Sequence, residues 1–268
     1  MSEIYLGNKN LKNKDVKIQY TKEQIAEYIR CAEDIDYFCE KYVKIVAVDK
    51  GLVAFEMYDF QKELIHNLHN NRFVIGKLPR QVGKTTTVGA YLLHYVLFNQ
   101  NMNVAILANK QSTAIEILGR VKMAYEYLPK WLQQGVIEWN KGSIVLENGS
   151  RILAAATSSS AIRGGSFNCI LLDEFAHIPT QIAEEFFTSV YPTITSGQST
   201  KMFIISTPNG LNMFYYYWKG AINNQNGYVP FEVHWSQVPK YPGGPLRDDQ
   251  WKREMISKTS EKQFEQEF

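Results

Sequence analysis

The sequence predicts an α/β fold with a mostly parallel central sheet flanked by helices, and three observations carry the prediction. Apolar strand-like runs alternate with helix-like stretches from residue 73 onward. Gly83-Lys84-Thr85 sits at one strand-to-helix turn, and Asp173-Glu174 closes another apolar run. Composition permits this: 268 residues, 45% of them hydrophobic, suffice for one large domain, or one domain with a small satellite. No window is apolar enough to read as a membrane span, and the polar, lysine-rich start carries no cleavable signal pattern. A net charge of +2 argues against a general polyanion binder. Cys31, Cys39 and Cys169 have neither metal-ligand spacing nor an even framework, and read as reduced thiols.

In chain order, Lys9, Lys12, Lys14, Lys17 and Lys22 have only Asp15 among them, which suits either a solvated terminus or an arm on DNA phosphates. Thr21 is an N-cap candidate with Glu23 and Gln24 in the first turn. Ile25, Tyr28, Ile29, Ala32, Ile35, Phe38 and Tyr42 continue as an apolar stripe, so the spacing predicts one helix over 22–43. Residues 45–55 read as a strand pair turning at Asp49-Lys50-Gly51. Helices are predicted over 60–70, 84–98, 112–127 and 182–191. Strands are predicted over 73–75, 104–108, 143–146, 151–156, 169–172 and 202–206. Asn148-Gly149 is a hairpin signal, making the pair around it antiparallel. Beyond Gly210 the pattern fades into an aromatic, turn-rich tail punctuated by Gly243-Gly244-Pro245.

The run from Leu78 to Thr85 is the second half of a phosphate loop, in which backbone N–H groups and a lysine hold phosphates and a threonine hydroxyl meets Mg²⁺. Leu78 stands where the motif's first glycine is expected. Gln81, Val82, Gly83, Lys84, Thr85 and Thr86 are therefore candidates for holding ATP, with Thr85 and Asp173 as candidates for Mg²⁺. Glu174 is placed to orient and deprotonate an attacking water. Arg80 offers a cation to a phosphate or to Glu174, or else a salt bridge that shapes the loop. Arg163, before Gly164-Gly165-Ser166, sits in an open turn that suits an arginine finger or an ordinary surface residue. Gln61 has both donor and acceptor for an adenine edge, beside aromatic neighbours. Ser206 and Thr207 end a strand where hydroxyls would sense loss of the γ-phosphate, or simply form a turn into Asn209-Gly210.

Several longer segments then recur in one family: Arg80 to Thr85, Ile106 to Lys110, Glu138 to Ile144, Arg163 to Phe167 and Thr207 to Tyr215. Through them the chain resembles, from about residue 55 to its end, the large terminase subunit of T-even-like tailed phages. The resemblance implies an ATPase of the additional-strand, catalytic-glutamate class of P-loop fold that powers translocation of double-stranded DNA into a procapsid. It implies ATP and Mg²⁺ as cofactors, Lys84 and Thr85 on phosphate and metal, Asp173 as the Walker B acid and Glu174 as base. It also implies Gln61 in the adenine motif, Ser206 and Thr207 as the coupling motif (with Ile205 where a third hydroxyl often stands), and Arg163 and Arg80 as catalytic arginines. Its partners would be double-stranded DNA, the portal protein, the small terminase subunit and further copies in a ring on the portal. Its location would be the host cytoplasm, docked transiently on the procapsid, with no membrane involved. Residues 56–214 would form the ATPase core, with 1–55 and 215–268 making a small accessory subdomain. Family members continue into a nuclease domain, so the expectation is an ATPase without DNA cleavage, truncated at Glu267-Phe268. The aromatic run from Phe214 to Trp218 is expected to pack rather than stack on bases. A helicase-like remodeller shares the phosphate loop, Gln61 and the Asp-Glu pair but needs a second motor domain. A nucleotide switch without turnover has little use for Glu174.

Overall fold

The computed structural model describes residues 3–47, 49–158, 165–195 and 197–268. The chain begins with a hairpin of β1 (Ile4–Tyr5) and β2 (Asn8–Lys12), helices α1 (Lys22–Glu33) and α2 (Ile35–Tyr42), and a hairpin of β3 (Lys44–Ala47) and β4 (Gly51–Ala54). Next come α3 (Asp59–Asn70), β5 (Phe73–Lys77), α4 (Lys84–Phe98), β6 (Asn103–Ala108) and α5 (Gln111–Glu126). Strands β7 (Val136–Trp139), β8 (Ser143–Leu146), β9 (Arg151–Ala156) and β10 (Cys169–Asp173) follow, then α6 (Thr180–Thr195) and β11 (Lys201–Ser206). Helix α7 (Met213–Ile222), strand β12 (Val229–Glu232) and helices α8 (Asp249–Lys258) and α9 (Glu261–Glu267) complete the order.

Eight strands form the central sheet in the order β12-β5-β11-β10-β6-β9-β8-β7. All neighbours from β12 to β9 run parallel; β8 and β7 are added antiparallel, as the Asn148-Gly149 turn requires. The sheet is covered on both faces, which explains why its strands read as nearly unbroken apolar runs. On one face Leu171 and Phe203 meet Leu64 of α3, Leu92 and Val96 of α4 and Leu118 of α5. On the other, Ile170 and Leu172 meet Phe186 of α6 and Phe214 of α7. Phe214 and Trp218 of the aromatic run are buried in that second layer. Strand β11 lies between β5, which carries the phosphate loop, and β10, which ends in Asp173. That intervening strand is the additional strand, and it brings the ends of all three strands to one edge.

Three local readings of the sequence change. The single helix over 22–43 is two helices, because Asp34 ends α1 and its carboxylate caps α2 by accepting from the Tyr37 N–H at 2.9 Å. The lysine-rich start is partly built in: Leu11 and Lys12 are buried, and Lys12 pairs with Glu147 at 3.1 Å. The tail beyond Gly210 contains three helices and the edge strand β12, which lies in the central sheet outside the 56–214 range. Pro230 is tolerated there because an edge strand has only one paired side. Cys31, Cys39 and Cys169 are free and buried. Among the described residues, no helix is long and apolar enough to cross a membrane.

Candidate active site

Residues 78–83 connect β5 to α4. Within them Gln81 and Gly83 take left-handed backbone, at φ 60° and 73°, a turn geometry that aims N–H groups into a common concavity. Helix α4 starts without a side-chain cap, so its first N–H groups and its positive dipole end are offered to an anion. Val82 is buried beneath the loop, whereas Lys84, Thr85 and Thr86 are half-buried at the helix start. Leu78, in the place of the missing glycine, is buried, and its N–H donates to the Ser206 carbonyl at 3.1 Å. The loop is thereby tied to the end of β11.

Gln61 is buried at the start of α3. Its Oε1 accepts from the Tyr58 N–H at 3.0 Å, and its Nε2 donates to the Val82 carbonyl at 3.0 Å. The amide is thus turned onto the loop, with one N–H and one lone pair left over.

Opposite the loop, the Lys84 ammonium makes a close ion pair with Glu174 Oε1 and lies 3.9 Å from Asp173 Oδ1. Burial pushes the Asp173 carboxyl up to about 6, partly offset by Lys84 and reinforced by the neighbouring Glu174. For Glu174 burial also raises the carboxyl. The Lys84 charge and hydrogen bond, with His177 and Thr207, outweigh it and hold the group below the ordinary glutamate value. Glu174 itself has φ 51°, a left-handed conformation uncommon for a side-chain-bearing residue. Thr85 Oγ1 and the Asp173 carboxylate are hard oxygen donors of the type Mg²⁺ takes, and a buried carboxyl raised by desolvation fits a place for a cation.

Ser206 and Thr207 are both buried at the end of β11. The Ser206 hydroxyl donates to the Thr207 carbonyl at 2.7 Å and accepts from the Ala176 N–H at 3.0 Å. The Thr207 hydroxyl donates to Glu174 Oε2 at 3.3 Å. His177, which sequence reasoning missed, reaches the same place, with Nε2 2.9 Å from Thr207 Oγ1 and 3.5 Å from Glu174 Oε2. Its only signal in the sequence is a position three residues after Glu174.

Arg80 pairs with neither Glu174 nor a group of the loop. Its guanidinium, more than half exposed, makes a close ion pair with Glu267 of α9, and the Arg80 backbone N–H donates to the Glu267 carbonyl at 2.8 Å. Glu267 was also missed, because nothing local to residue 267 links it to a phosphate loop. Arg163 lies outside the described residues.

Parallel strands, an additional strand between β5 and β10, and a lysine facing two carboxylates at their ends define an additional-strand P-loop nucleotide-binding fold. In fold the chain is similar to the large terminase of bacteriophage HK97, with a TM-score of 0.70 and 17% identity over 88% of this chain and 54% of that one. It therefore spans about half that protein's length. It is similar to the large terminase ATPase domain of Thermus phage P74-26 at a TM-score of 0.62 and 20% identity, over 80% of this chain and 93% of that one. It is similar also to the large terminase of a thermophilic bacteriophage solved in complex with ATP-gamma-S, at a TM-score of 0.53 and 11% identity, over 74% and 48% of the two chains. The family described as terminase large subunit, T4likevirus-type, N-terminal, matches residues 75–268, and the chain belongs to it.

Proposed function

We propose that this chain hydrolyses ATP and that hydrolysis drives double-stranded viral DNA into a procapsid. Family membership supports the motor role. The observation that carries the hydrolytic reading is the meeting of Lys84, Asp173, Glu174 and Thr207 across the ends of three adjacent strands.

In this reading the N–H groups of residues 81–86 and the Lys84 ammonium hold the phosphates. Thr85 and Asp173 would hold Mg²⁺, which would supply charge neutralisation to the phosphates. Glu174 is ionised at neutral pH, as its lowered carboxyl requires, and takes a proton from the attacking water. Arg80 leaves Glu267 for a phosphate, and Arg163 acts as a finger on the chain's own nucleotide or on a neighbour's. Gln61 uses its remaining N–H and lone pair on adenine. Ser206 and Thr207 pass the loss of the γ-phosphate on to the segment that follows β11. Residues 1–55 and 215–268, apart from α7 and β12, which pack on or join the central sheet, form a small subdomain beside the 56–214 core. The working form is a ring of copies on the portal, in the host cytoplasm, with the small terminase subunit as a further partner.

Glu174→Gln tests the chemistry. It should leave ATP affinity within about threefold and bring hydrolysis to background, a loss of at least roughly 10²-fold for a missing base. Turnover equal to that of the unaltered chain would overturn the mechanism. Restored hydrolysis on mixing Arg163→Ala with Glu174→Gln chains would assign the finger to the neighbouring subunit; no rescue at any ratio would exclude that assignment.

A further inference from the structure

The Glu174 carboxylate is held from two sides by groups of different kinds. Oε1 belongs to Lys84, a residue of the phosphate loop. Oε2 belongs to Thr207 and His177, neither of which is on that loop. The second hold rests on a stiff frame. After β10, the left-handed Glu174 turns the chain into a 3₁₀ turn, Phe175–His177, in which the His177 N–H donates to the Glu174 carbonyl at 2.9 Å. This brings the His177 ring back beside the carboxylate of Glu174. The turn is then fastened to the end of β11 and to the segment after it. The Ala176 N–H donates to Ser206 Oγ, and the Ala176 carbonyl accepts from Asn209 Nδ2 at 3.2 Å and Asn212 Nδ2 at 2.7 Å.

Within this frame the hydrogen-bond directions are fixed. The Glu174 carboxylate is only an acceptor, so Thr207 donates its single hydroxyl proton to Oε2. The Thr207 oxygen is left with lone pairs, and His177 Nε2, 2.9 Å away, must be the donor to it. The imidazole therefore carries its proton on Nε2. His177, Thr207 and Glu174 form a directed chain ending on one carboxylate oxygen.

This arrangement matters when phosphate arrives. A lysine that turns toward a phosphate loosens its hold on Oε1, and among the described residues Oε2 then keeps only Thr207 and His177 as partners. We infer that His177 is a positioning residue for hydrolysis: by holding Thr207, and through it Oε2 of Glu174, it leaves Oε1 as the oxygen that meets the attacking water. The inference rests on the hydrolytic reading above and adds a residue and a division of labour between the two oxygens. His177 does not touch the reacting atoms. Its effect is on where the base points, and a misplacement of about 1 Å in such a group is enough to slow a reaction up to roughly a hundredfold.

The test is steady-state ATP hydrolysis by the chain and its His177→Phe, His177→Gln and Glu174→Gln variants. His177→Phe keeps a ring but donates no proton, and should lower kcat by about ten- to a hundredfold with KM for ATP within about twofold. His177→Gln places an amide N–H where the imidazole Nε2–H stands, and should keep kcat within about threefold of the unaltered chain. A side chain that merely fills space would not be rescued by glutamine or divide kcat from KM in this way. Should His177→Phe not fold, His177→Asn takes its place, since its shorter amide stops short of Thr207. Full activity in His177→Phe beside an inactive Glu174→Gln overturns the role of His177 and leaves the hydrolytic reading standing. Equal impairment in the glutamine and phenylalanine variants overturns the hydrogen-bond basis. Full activity in Glu174→Gln overturns the reading itself.

Discussion

Replacing Gly83 with alanine probes how the phosphate loop is held to the start of α3. Gly83 sits at φ 73°, where a side-chain-bearing residue costs roughly 1–2 kcal/mol. The new Cβ would also stand 2.6 Å from Gln61 Nε2. The amide must then swing off the Val82 carbonyl, which it reaches at 3.0 Å in a buried setting. A hydrogen bond of that kind contributes about 0.5–1.5 kcal/mol net. Together the two effects predict a loss of about 1.5–3.5 kcal/mol for Gly83→Ala. In a Gln61→Ala background there is no amide to displace, and the same change should cost only the backbone part, about 1–2 kcal/mol. The cycle of four proteins therefore carries a coupling of about 1 kcal/mol, measurable by equilibrium urea unfolding without nucleotide. In a chain of this size each kcal/mol also moves Tm by about 2–4 °C. Penalties that add to within about 0.3 kcal/mol would refute the reasoning, because groups with no shared partner behave that way.

Two further outcomes follow from the same geometry. Burial raises Asp173 from 3.8 to about 6, so the folded chain binds more protons than the unfolded one between those values; the group's stabilising contribution is full below 3.8 and is lost as pH rises through about 6. Asp173→Asn should therefore stabilise the protein by on the order of 2–3 kcal/mol at pH 8 in chelating buffer, by denaturant titration. That gain should shrink toward pH 5, and a gain that stays constant, or a loss, would contradict the assignment. Glu267→Ala removes an ion pair whose arginine is largely exposed, so stability should change by less than about 1 kcal/mol. With Arg80 released, KM for ATP should fall about two- to fivefold, the equivalent of up to roughly 1 kcal/mol. A rise in KM would instead place Glu267 among the groups that help bind nucleotide.

The middle of the sheet was legible because its strands are buried on both faces. Residues 104–108 and 169–172 contain no polar side chain to blur the signal. The elements after Gly210 were hidden for equally physical reasons. Helix α8 has no buried residue and α9 only Phe264, so neither shows an apolar stripe, and β12 carries a proline. The break at Asp34 was masked by a stripe that runs on across it, since Ile35 and Phe38 keep helical spacing with Cys31. In the candidate site, Lys84, Asp173, Glu174 and Thr207 were legible because each sits in a short motif at the end of a strand. What the motifs do not encode is side-chain direction. Gln61 faces the Val82 carbonyl, Arg80 faces Glu267, and His177 folds back over a 3₁₀ turn, all through tertiary placement.

The edge strand β12 gives the molecule a load path. Val229, Pro230, Phe231 and Glu232 lie in parallel register with Val74 to Lys77, and β5 continues directly into residues 78–83. A pull along β12 shears this strand pair, so its hydrogen bonds resist together rather than opening one after another. Tension on the segment after β12 thus reaches the phosphate loop through this strand pair, beside the Arg80–Glu267 contact, and movement of the loop travels back along both. A sheet built this way sets its edge strand directly beside the strand that leads into the phosphate loop.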